Sequence, residues 1–182
     1  MPDLRAEIER MVAADQAVQL QIAERQAAGQ AVGPADFARR DSVFSANLER
    51  MRVILSKYGW PGRRLVGEAG SHGAWLLLQH GDQDTTLQRN ALGLLTRAVS
   101  AGDASGSDLA YLTDRVRVAE GRPQLYGTQL DYDSRGCASP KPSEDPAHLD
   151  ARRAAMGLEP VDDYIKRVME TLGRADLCRA KP

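Results

Sequence analysis

The sequence predicts a mainly α protein: a helical bundle with a long N-terminal antiparallel helical hairpin and one small β-hairpin. Three observations carry that expectation. Two apolar stripes near the N-terminus repeat at alternating steps of four and three, the spacing of a single helix face. The run Ala74-Trp75-Leu76-Leu77-Leu78 is too short to cross a bilayer and too apolar for a surface, so it reads as a buried helix. Only 124–141 combines extended-favouring residues with a central cluster of turn formers.

Taken in order, residues 3–28 form the first helix, with Leu4, Ile8, Met11, Asp15, Val18, Ile22 and Arg25 on one stripe. Gly29, Gly33 and Pro34 mark a loop. The second helix, 36–57, carries Phe37, Asp41, Phe44, Leu48, Met51, Leu55 and Tyr58. Folding one stripe against the other sets Ile22 on Phe44, Val18 on Leu48 and Met11 on Leu55. Arg25 then faces Asp41 as an ion pair, whereas Asp15 faces Met51. A carboxylate buried without a partner is costly, so Asp15 must meet a wet pocket or a group from elsewhere in the chain. Gly59-Trp60-Pro61 breaks the second helix, and Trp60 packs on the core.

Ser71 is the expected N-cap of a short helix ending near His80. Gly81-Asp82-Gln83 turns, and Asp84 caps a helix over 85–100. A further helix spans 107–119. Gln124 to Leu130 reads as a strand, 131–136 as a turn and 137–141 as a return strand kept short by Pro140 and Pro142. Asp145-Pro146 starts a helix that stops by Gly157, and Glu159-Pro160 starts the last one. The expected organisation is a single mostly helical domain over 1–173 with a frayed tail at 174–182.

The 182 residues carry 24 basic and 25 acidic side chains, a net charge of −1. That balance supplies no basic field for nucleic acid. The first ten residues carry acids and lack an apolar core, unlike a signal peptide. No segment reads as membrane-spanning, and the two cysteines, Cys137 and Cys178, have no metal-like spacing. A reduced cytoplasm is the expected setting.

The chain also resembles a known family. Gly59-Trp60-Pro61, Gln79-His80-Gly81-Asp82-Gln83-Asp84 with Gln88, Tyr126-Gly127-Thr128-Gln129, and Glu144-Asp145-Pro146 with Arg152-Arg153 and Gly157-Leu158 are similar to an uncharacterised bacterial domain of unknown function. Its marks are GWP, QHxDxD, YGTQ and EDP, and the resemblance covers about 15–164. Gly81, where Ala is more usual, and Thr85, where Pro often follows, are departures. The resemblance implies that His80, Asp82, Asp84, Gln88, Asp114, Arg115, Tyr126 and Gln129 belong to the shared pattern. It implies no reaction.

His80, Asp82 and Asp84 form the strongest chemical cluster. A carboxylate beside an imidazole orients the ring and fixes its tautomer, the arrangement of a general base. The structural alternative makes His80 a helix end and Asp82 and Asp84 caps of the next helix. The expected site is therefore His80 as base or acid, Asp82 and Asp15 as its carboxylates, and Asp84, Gln88, Asp114, Arg115, Tyr126 and Gln129 as substrate contacts. Arg115 suits a carboxylate. The expected activity is acid–base chemistry without an organic cofactor on a polar small molecule or modified peptide. Two rivals stand beside it: a non-catalytic binding or protein-interaction module, and a His/Asp metal enzyme. Against the metal, His72 lies eight residues before His80, roughly 12 Å of helical rise, too far to share one ion. Phosphate-loop and nucleophile-elbow patterns are absent from the sequence.

Overall fold

The computed structural model describes residues 1–174. Its fold is mainly α with one two-stranded antiparallel hairpin. The chain divides into two compact units, Met1–Ala104 and the part from Ser105 onward. The tail expected to fray lies, from residue 175, outside the described residues. No described helix is long and apolar enough to cross a membrane.

The first unit holds α1 (Pro2–Ala27), α2 (Pro34–Tyr58), α3 (Arg63–Gln79) and α4 (Thr85–Ser100). Helix α3 packs on each of the other three. Its apolar run is buried as expected, with Ala74, Trp75, Leu77 and Leu78 all inside. The helix starts earlier than Ser71, because Gly67 at φ 78° lets two helical pieces join across a kink. Ser71 is therefore an interior residue, and its hydroxyl accepts the Trp60 indole N–H at 3.1 Å. Trp60 itself is buried.

Helix α3 lies close on α1 because Gly73 has no side chain. A Cβ there would stand 2.9 Å from Val12 Cγ2 and 3.2 Å from Ile8 Cγ2. Seven residues further along both helices, about 10 Å of rise, Asp15 meets His80. Equal steps in the same chain direction mean that α1 and α3 run parallel.

The α1–α2 hairpin forms, but its ion pair differs from the one expected. Arg25 binds Asp36 at 2.5 Å and the Ala31 carbonyl at 2.7 Å. Asp36 also accepts the Gly33 N–H at 3.0 Å, fixing the start of α2. Asp41 is exposed and pairs with Arg40. The buried face of α2 is Asn47, Leu48, Met51, Ile54 and Leu55, so it rotates away from Asp41 and leaves Phe37 exposed.

The second unit holds α5 (Gly106–Ala119), β1 (Leu130–Tyr132), β2 (Ala138–Pro140), α6 (Leu149–Ala155) and α7 (Val161–Thr171). The strands pair in the register Leu130–Pro140, Asp131–Ser139 and Tyr132–Ala138. Residues 124–129 are not strand, in contrast to the expectation. The N–H groups of Leu125, Tyr126, Thr128 and Gln129 are drawn inward onto side chains, while Gln124 makes one isolated bridge with Ser143, its N–H on the Pro142 carbonyl at 2.9 Å. Asp145-Pro146 begins a single 3₁₀ turn that leads into α6.

Candidate functional site

Asp15 is fully buried, and Gln16 and His80 both meet its carboxylate. The Gln16 amide donates to Oδ1 at 3.0 Å. His80 Nδ1 lies 2.8 Å from Oδ1 and 3.1 Å from Oδ2. An ionised carboxylate only accepts, so Nδ1 carries the ring proton. That leaves Nε2 with a lone pair, and the Gln19 amide nitrogen stands 3.3 Å from it as donor. Phe44 stacks on the other side of the ring at 5.1 Å and 17°. The His80 side chain keeps 17% of its exposure against 1% for Asp15. The ring is thus held at one edge, flanked on one face and partly open.

Sequence spacing explains how α1 supplies this. Asp15 and Gln19 are one turn apart on one face. Gln19 borders an open groove of about 620 Å³, whose described lining is Ala13, Gln16, Ala17, Gln19, Leu20 and Ala23. The two glutamines that touch the Asp15–His80 pair are therefore also walls of a concave surface.

The other expected residues fall elsewhere. Asp82 is exposed in the turn after His80, and the carboxylate on Nδ1 is Asp15's, from 65 residues away in the chain. Asp84 caps α4, accepting the Leu87 N–H at 2.9 Å, and pairs with Arg52. Gln88 is buried, and its amide donates to the Leu78 carbonyl at 3.0 Å, tying α4 to the end of α3. These two residues build the frame that holds His80 in place.

Asp114, Arg115, Tyr126 and Gln129 belong to the second unit. Asp114 has no exposure and accepts N–H bonds from Leu125 at 2.7 Å, Tyr126 at 3.1 Å and Thr128 at 3.0 Å, with the Thr128 hydroxyl at 3.0 Å. Arg115 is half-buried next to it on α5. Gln129 gives its N–H to Gln124 Oε1 at 2.9 Å and its side-chain amide to Thr128 Oγ1 at 3.2 Å. Gly127, at φ 65°, lies against Leu149 and Val161. Buried Arg153 donates to the Tyr126 and Glu159 carbonyls and lies 5.1 Å over the Tyr164 ring. Tyr164 in turn donates to the Thr128 carbonyl at 2.9 Å. Tyr126 is half-buried; burial raises its phenol pKa, and the Asp114 charge adds to that. The YGTQ segment is thus a loop wound on a buried carboxylate, and Asp114 and Gln129 spend their polar groups on holding it.

A family model covers residues 2–175. The chain belongs to DUF6624, a family of unknown function. No curated protein and no solved structure matches the chain. Membership in DUF6624 agrees with the resemblance drawn from the sequence and brings no reaction with it. Among the described residues, no three His, Cys, Asp or Glu side chains gather as a metal site requires.

Gln16, Gln19 and Phe44 are the residues that sequence reasoning missed. Gln19 had a readable signal, since it sits one turn from Asp15 on the same helix face. Phe44 counted only as hairpin core, because nothing local links it to His80.

Proposed function

We propose that the Asp15–His80 pair is the acid–base centre of a small enzyme that acts on a small molecule or modified peptide. One observation carries the reading: a fully buried carboxylate holds Nδ1 of a partly exposed imidazole at 2.8 Å. A buried charge is expensive to keep, and a side chain of similar shape without charge would fill the space at less cost. What the charge supplies is a fixed tautomer with an acceptor at Nε2, the form in which imidazole takes a proton from a substrate or a water. The reaction class this fits is proton abstraction, or hydrolysis by an activated water, with His80 as base and then acid. Asp15 acts through His80 as its positioning residue.

The reading is tested by ¹⁵N-resolved imidazole NMR together with modification by diethyl pyrocarbonate. The expected results are an Nδ1–H tautomer at His80 that Asp15→Asn disturbs, and carbethoxylation of His80 at Nε2. A panel of neutral esters and amides is then compared between the parent and His80→Gln. An Nε2–H tautomer, or a His80 that the reagent never reaches, leaves the pair as a structural contact and makes the binding module the better account.

A further inference from the structure

We infer that Arg117, Arg152 and Tyr126 form a binding site for a small carboxylate ligand in the second unit, and that the Glu144 side chain occupies that site until a ligand arrives. The site shares no residue with the Asp15–His80 pair, and neither reading depends on the other. Two arginines grip the chain just ahead of Tyr126. Arg117, in the last turn of α5, donates from Nε to the Pro123 carbonyl at 2.6 Å. Arg152, on α6, donates from Nε to the Leu125 carbonyl at 2.8 Å. Both then reach Glu144. Arg117 Nη2 pairs with its carboxylate, and Arg152 Nη2 donates to its main-chain carbonyl at 2.5 Å and to that of Asp145 at 2.9 Å. The guanidiniums keep only 11% and 25% of their side-chain exposure, against 59% for Glu144. The cations are therefore the fixed half of the pair and the carboxylate is the loose half. An ion pair with so exposed a partner contributes little to stability, so Glu144 leaves at small cost.

A guanidinium carries five N–H groups, and these two do not use them all. Arg117 Nη1 has no hydrogen-bond partner among the described residues. Arg152 Nη1 lies 3.7 Å from Asp145 Oδ2, too far for a hydrogen bond, and that oxygen accepts His148 Nδ1 at 2.8 Å. The main chain of Tyr126 is bonded to Asp114 and Arg153, whereas its hydroxyl has no partner among the described residues. Packing of the YGTQ loop thus accounts for Asp114, Gly127 and Gln129 and gives this hydroxyl nothing to do. Burial holds the phenol pKa up and the Asp114 charge adds to that, while the Arg152 and Arg117 charges pull it back, so both guanidiniums lie within electrostatic reach of the ring.

Shape and charge name the ligand. With Nε spent on Pro123, Arg117 keeps its Nη1–Nη2 edge, a pair of parallel donors that matches a planar carboxylate. The Glu144 carboxylate uses only Nη2 of that edge. A carboxylate free of the chain can bridge both nitrogens and turn its remaining lone pairs to Arg152 and the phenol. Asp145 lies beside Arg152, and the Asp114 charge acts on Tyr126. A phosphate dianion would meet both like charges, whereas a monoanion balances the cation that Glu144 gives up.

Acetate and inorganic phosphate, titrated into the labelled full-length chain at an ionic strength held constant with chloride, test the site by NMR. The expected result is that acetate moves the side-chain N–H signals of Arg117 and Arg152 and the ring signals of Tyr126, saturably and more tightly than phosphate. Glu144→Ala removes the resident carboxylate and should tighten acetate about tenfold. Tyr126→Phe should weaken acetate while the backbone spectrum stays in place. An ion pair that only ties Glu144 to α5 gives a different outcome: Glu144→Ala lowers the melting temperature, and acetate moves none of the three residues. That outcome overturns the inference, as does phosphate binding more tightly than acetate, or a shift that grows with salt and never saturates. Should Glu144→Ala fail to fold, Glu144→Gln, which keeps the shape and drops the charge, answers the same question.

Discussion

Asp15 Oδ1 and His80 Nδ1 stand 2.8 Å apart across 65 residues of chain, one fully buried and the other partly open. The pair is both the proposed catalytic device and a structural debt. Removing His80 leaves a buried carboxylate with only Gln16 to satisfy it. His80→Ala should therefore cost on the order of 1–3 kcal/mol, the range for an orphaned buried hydrogen-bonding group. Asp15→Asn should cost less, because an amide of the same shape needs no counter-charge. Urea denaturation of both variants checks the order. A His80→Ala variant as stable as the parent would mean that Asp15 is protonated or rehydrated in the folded state.

Asp114 should matter more to stability than any other carboxylate described in the second unit. Three backbone N–H groups and one hydroxyl converge on it in a site closed to water. Asp114→Ala orphans all of them, and the expected loss exceeds about 3 kcal/mol. Asp114→Asn keeps one acceptor oxygen and should lose less. Hydrogen exchange at Leu125, Tyr126 and Thr128 reads the effect locally. Unchanged protection in Asp114→Ala would remove the carboxylate from its organising role.

The tyrosine above that loop makes the second unit sensitive to alkali. Burial holds the Tyr164 phenol well above the usual tyrosine range, and Tyr111 beside it adds to the effect. The folded state keeps Tyr164 neutral, whereas the unfolded chain ionises it near pH 10. Stability from this group is complete below about pH 10 and falls as the pH climbs beyond it. Tyr164→Phe should flatten the decline above pH 10. Its cost at neutral pH should be about 0.5–1.5 kcal/mol for the hydrogen bond to Thr128. Denaturation midpoints at pH 8, 10 and 11 for the two chains decide it.

The acid limb has its own marker in the helical hairpin. The Gly33 N–H, and with it the Arg25 charge, hold the Asp36 carboxyl below its ordinary range. A depressed value stabilises the fold above the ordinary carboxylate pKa, and the contribution is lost as pH falls through the lower folded value. Asp36→Asn should lower the melting temperature at pH 7 more than at pH 3. Asp41→Asn should change little at either pH, since Asp41 is exposed and pairs only with its neighbour Arg40.

That contrast shows what a sequence makes legible. Helix α4 was readable, because its Asp84 cap and its apolar face are local signals. The hairpin was readable as a pattern, but Arg25 had two acids within reach, and backbone geometry at Gly33 chose Asp36 over Asp41. Asp15 announced itself as a polar residue on an apolar stripe; its partner came from another helix, set by the close approach at Gly73. Beyond Gln124 the segment failed as a strand because the N–H groups of Leu125, Tyr126, Thr128 and Gln129 go to Asp114 and Gln124, side chains whose burial no local pattern reveals. Asp82 looked like the partner of His80 because it is near in sequence, yet a turn carries it outward.

Gly81, in the turn between α3 and α4, offers the last prediction. A Cβ at Gly81 would stand 2.4 Å from Leu48 Cδ2, a contact that no real side chain makes. Leu48 is buried against the turn and fills the space a methyl would take. The backbone at Gly81 is not among the positive-φ positions, so alanine meets a packing obstacle there rather than a conformational one. Gly81→Ala should force Leu48 off its position, and overpacking of this kind costs about 1–3 kcal/mol. Part of that returns through the lower entropy of an unfolded chain with one glycine fewer, about 0.4–1 kcal/mol. Shortening the obstructing residue should release the strain, so the double variant Gly81→Ala with Leu48→Val should be more stable than the sum of the two single changes allows. A double-mutant cycle in urea measures that coupling, and strict additivity would show that Gly81 and Leu48 do not share the space.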